Sequence, residues 1–86
     1  MTELDEFIMN VKETINRYLS LLQVTKELEC EKLGQFSIKC TVEVKETIEE
    51  KERELYGERA DGLKAKVLLV RQNAGTRITF YFWKER

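Results

Sequence analysis

The chain has 86 residues, of which 42% are apolar and 36% are charged, and its formal net charge is −1. A chain of this length predicts one domain, residues 1–86, with a small hydrophobic core. The composition excludes an intrinsically disordered chain, and the sequence contains no apolar run long enough to cross a bilayer.

The first predicted element is a long amphipathic helix at the N-terminus. Its apolar residues recur at three- and four-residue steps between Leu4 and Leu22, so they share one face of the helix. Thr2 is a suitable N-cap, and Asp5 follows three residues later in the capping-box position. The apolar face is therefore expected to pack on another part of the fold.

Residues 24–45 predict a β-hairpin. Apolar and polar residues alternate over 24–32 and again over 36–45, as they do in half-buried strands. A three-residue turn around Gly34 would place Cys30 opposite Ile38. The alternative is a first helix that continues as far as Gly34 and is capped by it. That alternative leaves Cys30 on the wrong face, and we prefer the hairpin.

The two cysteines, Cys30 and Cys40, are expected to be reduced thiols in the core. The predicted register makes them diagonal neighbours, with α-carbons ~7–8 Å apart, which is too far for an unstrained disulfide. A secreted domain of this size usually carries several disulfides. The N-terminus is acidic, whereas a signal peptide begins with a basic region. These observations predict a cytoplasmic protein.

The acidic segment 46–56 is predicted to form a short helix. It is rich in strong helix formers, and Ile48 and Leu55 stand seven residues apart. The alternative is a charged β-arm that continues from Val44. A solvated, ion-paired surface is the ordinary interpretation of such a charge run. The functional alternative is a phosphate mimic that inhibits a nucleic-acid-handling protein.

Residues 63–84 predict a second hairpin, with strands over 63–71 and 77–84 in which Gln72 faces Arg77. One face of this hairpin is expected to meet the helix and carries Ala65, Val67, Leu69, Ile78, Phe80 and Phe82. The predicted fold class is α+β, with the long helix packed on an antiparallel sheet of about four strands. The short acidic helix would lie between the two hairpins.

The other face of the second hairpin is the candidate site. The last 25 residues carry a net charge of about +5 and the rest about −6, and charge of this kind selects partners. An exposed patch of apolar and aromatic residues marks an interaction site, and Tyr, Trp and Arg are enriched at interface hot spots. The predicted partner-binding residues are Lys66, Leu68, Val70, Arg71, Arg77, Tyr81 and Trp83.

Non-catalytic binding is the function that this pattern favours, with a homodimer as the first expectation and a partner protein as the second. Single-stranded nucleic acid stacked on the same aromatic side chains is the alternative. A third interpretation is that the acidic helix covers this face, in which case its residues belong to the core.

Catalysis and metal binding have little support in the sequence. The chain has no histidine, and its two cysteines have no imidazole partner, so we expect no catalytic residue, no metal and no cofactor. Glu27, Glu29 and Glu31 are expected on an exposed strand face, with Lys39 opposite Glu29.

The excess of Glu and Lys over Asn and Gln favours a heat-adapted host, although the absence of proline argues against one.

Overall fold

The computed structural model describes residues 2–49, 52–54 and 62–84. It contains one helix and five strands: α1 (Glu3–Leu19), β1 (Val24–Gly34), β2 (Ser37–Val44), β3 (Glu52–Glu54), β4 (Leu63–Arg71) and β5 (Thr76–Lys84). The strands form one antiparallel sheet in the order β1-β2-β5-β4-β3. The helix packs on one face of this sheet, the inner face. The predicted α+β class is confirmed, with four long strands and a short fifth one.

The helix begins where the sequence predicts, at a capping box. The Asp5 amide donates to Thr2 Oγ1 (3.1 Å), and the Thr2 amide donates to Asp5 Oδ2 (3.3 Å). These bonds satisfy amide groups that a helix N-terminus otherwise leaves without partners. Phe7, Val11 and Ile15 then recur at four-residue steps and are buried against the sheet.

The core lies between α1 and the three inner strands of the sheet, with β5 at the centre and β2 and β4 on either side of it. Phe80, Phe82 and Ile78 of β5 are fully buried. The Tyr18 ring meets the Phe80 ring edge-on at a centroid distance of 5.2 Å, an arrangement that aromatic pairs favour. Buried inner-face residues of β2 and β4 complete the core, namely Cys40, Val42, Val44, Leu63, Ala65, Val67 and Leu69.

The face assignment of the second hairpin is confirmed, although its predicted register is wrong. Arg77 lies opposite Val70 instead of Gln72. A shift of two residues keeps every side chain on its predicted face, because strand side chains alternate with a period of two. The turn closes through a hydrogen bond from the Gln72 amide to the Gly75 carbonyl (3.0 Å). Gly75 has φ +97°, a conformation that residues with a β-carbon rarely adopt.

Strand β1 confirms the preferred hairpin but corrects the expected burial of its first strand. Residues 24–34 form a strand, so the extended first helix is excluded, but every residue of β1 is exposed where a half-buried strand was expected. The reason is geometric, because a helix about 10 Å across covers only two or three strands that are about 4.8 Å apart. Strand β1 lies at the edge of the sheet, beyond that width.

The cysteines correct a third prediction, because Cys30 lies directly opposite Cys40 and a disulfide joins them. Gly34 pairs with Ser37 across a tighter turn than expected, and the pairing has further irregularities between Val24 and Glu29. The register around the cysteines is therefore displaced by two residues from the predicted one. The disulfide also removes the reduced-thiol argument for a cytoplasmic location.

The predicted acidic helix over 46–56 is not found in the described residues. Glu52–Glu54 is a strand that pairs with β4, and residues 45–49 are not helical. Buried Thr76 anchors this part of the chain, because its hydroxyl donates to the Glu46 carbonyl (2.8 Å) and accepts from the Ile48 amide (3.0 Å). A helix starting here would need that carbonyl for its own hydrogen bonds. Residues 50, 51, 55 and 56 lie outside the described residues.

Candidate functional site

The candidate site is the outer face of the sheet, which is the face opposite α1. Strand register arranges its side chains in rows that cross β4, β5, β2 and β1. One row consists of Lys66, Tyr81, Lys39 and Glu31. The next row consists of Leu68, Thr79, Thr41 and Glu29. A third row, on the other side of the Tyr81 row, consists of Lys64, Trp83 and Ser37.

The aromatic part of this face is accessible. Tyr81 and Trp83 stand two residues apart on β5, and both side chains are partly exposed. With Lys66 and Leu68 they line a shallow depression of about 490 Å³. In the described ranges, α1 is the only helix and it covers the inner face, so no described helix seals these two rings. The interpretation of these residues as core is therefore not supported.

Lys39 lies close enough to Tyr81 to contribute to the same surface. Its Nζ is 5.9 Å from the centre of the Tyr81 ring. A cation over an aromatic face at this range contributes about 0.5–1 kcal/mol at an exposed site. The aromatic depression is thus bordered by positive charge from both neighbouring strands, Lys66 on β4 and Lys39 on β2.

The structure brings together most of the predicted site residues, but not all of them. Lys66, Leu68, Tyr81 and Trp83 share the depression. Val70 is 41% exposed and lies farther along β4, opposite Arg77. Arg71 pairs with Thr76, in a row of the inner face at the end of the hairpin. Its nearness in sequence placed it in the predicted site, whereas the strand alternation separates it from the depression.

Arg77 takes part in a polar cluster at the turn end of the outer face. In the amide orientation that satisfies its neighbours, Gln72 donates through its side-chain nitrogen to Glu43 Oε1 (2.6 Å). Its oxygen accepts from Arg77 Nη2 (2.8 Å). Glu43 also lies 3.6 Å from Lys26 Nζ on β1. This cluster holds the ends of β1, β2 and β5 together by polar contacts, away from the aromatic depression.

The predicted site omitted Lys39, Glu29 and Glu31, which lie on the same outer face. Lys39 belongs to it through Tyr81, and Glu29 and Glu31 of β1 occupy the opposite edge of the same face. Lys39 lies opposite Glu31, whereas the sequence predicted Glu29 at that position. The alternation in the sequence shows that these side chains point away from the core. Only the strand order places them on one surface with Tyr81 and Trp83.

Charged residues of both signs lie across the outer face. Strand β1 contributes Glu29 and Glu31, and β4 contributes Lys64 and Lys66, with β2 and β5 between them. The strand beyond β4 is β3, in which Glu54 is in register with Lys66. The basic positions therefore lie between acidic ones, and such a surface can orient a partner that carries the complementary pattern.

Other kinds of site have less support in the described part of the chain. No group of three or more metal-ligating side chains occurs among the described residues. In the described ranges no helix is both long enough and apolar enough to cross a membrane. Comparison of the chain with protein-family models, with curated proteins and with solved structures gave no match.

Proposed function

We propose that this chain is a non-catalytic interaction domain that binds protein through its outer face, and that its first partner is a second copy of itself. The observation that carries the proposal is the partly exposed aromatic depression formed by Leu68, Tyr81 and Trp83 on an open sheet face. Burial of apolar surface contributes about 25 cal/mol per Å², so covering this depression favours association.

The composition of the face resembles that of a protein interface. Aromatic side chains lie in the middle, where hot spots concentrate, and charged side chains such as Lys66 and Glu31 lie toward the edges. The strands beneath are held in place by the buried core on the inner face. A rigid platform lowers the entropy lost on binding.

Single-stranded nucleic acid is the alternative partner. Tyr81 and Trp83 occupy alternate positions of β5, with Lys39 and Lys66 beside Tyr81, and nucleic-acid-binding sheets stack bases in this way. The acidic residues Glu29 and Glu31 share the face and would repel a phosphate backbone. We therefore prefer protein as the partner. Four residues of segment 46–56, namely 50, 51, 55 and 56, lie outside the described residues, and the predicted phosphate mimic stays a prediction.

The chain offers a direct probe, because Trp83 is its only tryptophan. We expect sedimentation velocity over a concentration series to show a monomer–dimer equilibrium, and the Trp83 emission to shift to shorter wavelength as the dimer forms. The variant Trp83→Ala should dimerise at least about tenfold more weakly, as expected for a hot-spot residue. Met9→Ala is the matched control, because Met9 is a 49% exposed apolar residue on α1.

A monomer at every concentration, with an unchanged Trp83 emission, would contradict self-association. If a labelled single-stranded oligonucleotide bound instead, with a steep salt dependence that weakens in Lys66→Ala, the nucleic-acid alternative would replace the proposal. An equal loss of dimer in Met9→Ala and Trp83→Ala would place the interface somewhere other than the outer face.

A further inference from the structure

The Cys30–Cys40 disulfide joins the exposed edge of the sheet to its buried core. Cys30 belongs to β1, in which every residue is exposed, whereas Cys40 of β2 is fully buried. In the described part of the sheet no strand lies beyond β1. The two cysteines therefore differ in the access that an external thiol has to them. This property does not depend on the outer-face binding proposed above.

The surroundings of the two cysteines determine which sulfur an external thiol can attack. In thiol–disulfide exchange a thiolate bonds to one sulfur of the disulfide, and the other sulfur leaves. Cys30 can be approached from beyond β1, the free edge of the sheet. Cys40 is blocked on its other side by β5, where it pairs with fully buried Phe80. Cys30 is therefore the sulfur that is attacked, and Cys40 is the one that leaves.

Strand β1 is anchored to the rest of the fold on both sides, independently of the disulfide. Before the strand, the Lys45 amide donates a hydrogen bond to the Gln23 carbonyl (2.8 Å). After it, the Lys84 amide donates to the Phe36 carbonyl (3.0 Å). Residues 24–35 lie between these two anchors. Detachment of β1 would therefore open one loop and leave the other elements in place.

Between the anchors, β1 is held weakly by everything except the cross-link. None of its residues is buried, and its pairing with β2 is irregular between Val24 and Glu29. Its ion pair from Lys26 to Glu43 spans 3.6 Å with the lysine well exposed, and such pairs contribute little. Segments with few buried apolar contacts open locally at a low cost in free energy. The disulfide is thus the main restraint on the middle of β1.

The core does not need the disulfide in order to stay packed. A reduced cysteine behaves as a small apolar side chain, so Cys40 can remain buried as a thiol beside Phe80. The other buried residues belong to α1, β2, β4 and β5 and the short turn before β5. A reduced state that is folded but has β1 detached is therefore available to this chain.

We propose that the Cys30–Cys40 disulfide is a thiol–disulfide exchange site, and that its reduction by a dithiol releases β1 from the sheet. One thiolate of the dithiol bonds to Cys30 Sγ, the disulfide breaks, and Cys40 leaves as a thiolate that takes up a proton. The second thiolate of the reductant then attacks the reductant sulfur of this mixed disulfide. Cys30 leaves and is protonated in turn, and the dithiol becomes a disulfide. Two electrons thus pass from the reductant to the protein.

A dithiol suits this site better than a monothiol does. After the first attack Cys40 stays close to Cys30, so it can displace a monothiol and restore the original disulfide. A dithiol instead completes the reaction within one molecule. The anchors at Gln23 and Phe36 keep the two thiols within reach of each other, so oxidation returns β1 to the sheet. Reduction leaves the edge of β2 unpaired, the state in which a sheet edge accepts another strand.

The first test is the rate at which dithiothreitol reduces the native protein, measured by alkylation and mass spectrometry. The rate should rise linearly with dithiothreitol concentration. It should change by less than about twofold in Val67→Ala, which removes part of a fully buried side chain on β4 and destabilises the whole fold. A rate that increased by the same factor as the unfolding equilibrium constant would show that the disulfide reacts only after global unfolding, which would overturn the proposal.

The second test identifies the sulfur that is attacked. Excess 2-mercaptoethanol forms a mixed disulfide with the native protein, and acid quenching followed by peptide mapping locates it. The adduct should be at least about tenfold more abundant on Cys30 than on Cys40, because only Cys30 is accessible. An adduct mainly on Cys40 would contradict the direction of attack.

The third test follows the release of β1 by limited proteolysis with trypsin. Cleavage after Lys26 and Lys32 of β1 should be at least about tenfold faster in the reduced protein, whereas cleavage after exposed Lys12 of α1 should change little. The variant Cys30→Ser should behave like the reduced protein and should not respond to dithiothreitol. Circular dichroism melting confirms that this variant is folded. Equal protection of β1 in the oxidised and reduced proteins would refute its release.

Discussion

In the hairpin β4–β5, the apolar inner-face side chains of both strands are buried, whereas in the hairpin β1–β2 only β2 contributes buried side chains. Leu28 of β1 is 40% exposed, while Val67 and Phe80, which pair across the other hairpin, are fully buried. Both hairpins nevertheless carry apolar residues at their inner-face positions. The hydrophobic core therefore stabilises one hairpin directly, and the other is held mainly by backbone pairing and a disulfide.

The difference shows what alternation does and does not determine. It assigns each side chain to one face of a strand, but burial also requires that something covers that face. Helix α1 covers the centre of the sheet and leaves β1 uncovered. On the outer face, the same edge strand contributes Glu29 and Glu31.

The largest expected loss of stability comes from removing a buried side chain of the hairpin β4–β5, and the matching change in β1 should cost far less. Phe80→Ala should lower the free energy of unfolding by about 3–5 kcal/mol, because it removes a fully buried ring that contacts Tyr18 and Phe82. Leu28→Ala, in partly exposed β1, should cost less than about 1 kcal/mol. Urea denaturation measures both values. Equal losses would show that β1 is buried in solution, for example by a partner.

The turns provide the next comparison, because each hairpin has one glycine near its turn. A β-carbon on Gly75 would lie 2.0 Å from the Val44 carbonyl oxygen, and the residue has φ +97°. Gly75→Ala should therefore cost about 3 kcal/mol. A β-carbon on Gly34 would meet only Ser37 Cβ at 3.8 Å, an ordinary contact. Gly34→Ala should change stability by less than about 1 kcal/mol. Thermal and urea unfolding of the two variants test the contrast, which fails if both alanines are tolerated equally.

The sequence predicted the fold class, the helix start and the faces of both β4 and β5, because each depends on a local period or a capping pair. It did not predict the Cys30–Cys40 pair, since a bulge and a tight turn moved the register by two residues without changing any face. The sequence also did not predict that the Thr76 hydroxyl would form hydrogen bonds with the backbone of residues 46 and 48. Contacts between distant segments leave no periodic signal in a single sequence.

Only part of the candidate site could be predicted, because alternation assigns residues to a face but does not show which distant strands are neighbours. Leu68, Tyr81 and Trp83 were placed correctly on the outer face by alternation alone. Arg71 was included through its position in the chain, although its row belongs to the inner face. The contribution of Glu31 to the same surface depends on the order of four strands, which alternation does not specify.

The smallest of the three large losses of stability concerns the disulfide, which links β1 to β2 across a sequence separation of 10 residues. In the chain-entropy model a loop of this length contributes about 2–3 kcal/mol to the free energy of unfolding. Reduction of the wild type, or the double variant Cys30→Ala/Cys40→Ala, should remove about that amount. The two treatments should agree, because both remove the cross-link. The variant also keeps a small apolar residue at the buried position of Cys40.

Hydrogen exchange of individual amides shows which hairpin loses stability when the disulfide is removed. Without the disulfide, β1 has no buried side chain of its own to hold it on the sheet, so its amides should exchange much faster than before. The amides between β4 and β5 belong to strands packed on the intact core, so their exchange should speed up only in proportion to the fall in the global free energy of unfolding. If β1 in the reduced protein stayed as protected as β4, the edge strand would be stabilised by something other than the cross-link. An interface that covers it, such as the dimer proposed above, would then be the first explanation to test, by repeating the exchange at a concentration where only the monomer is present.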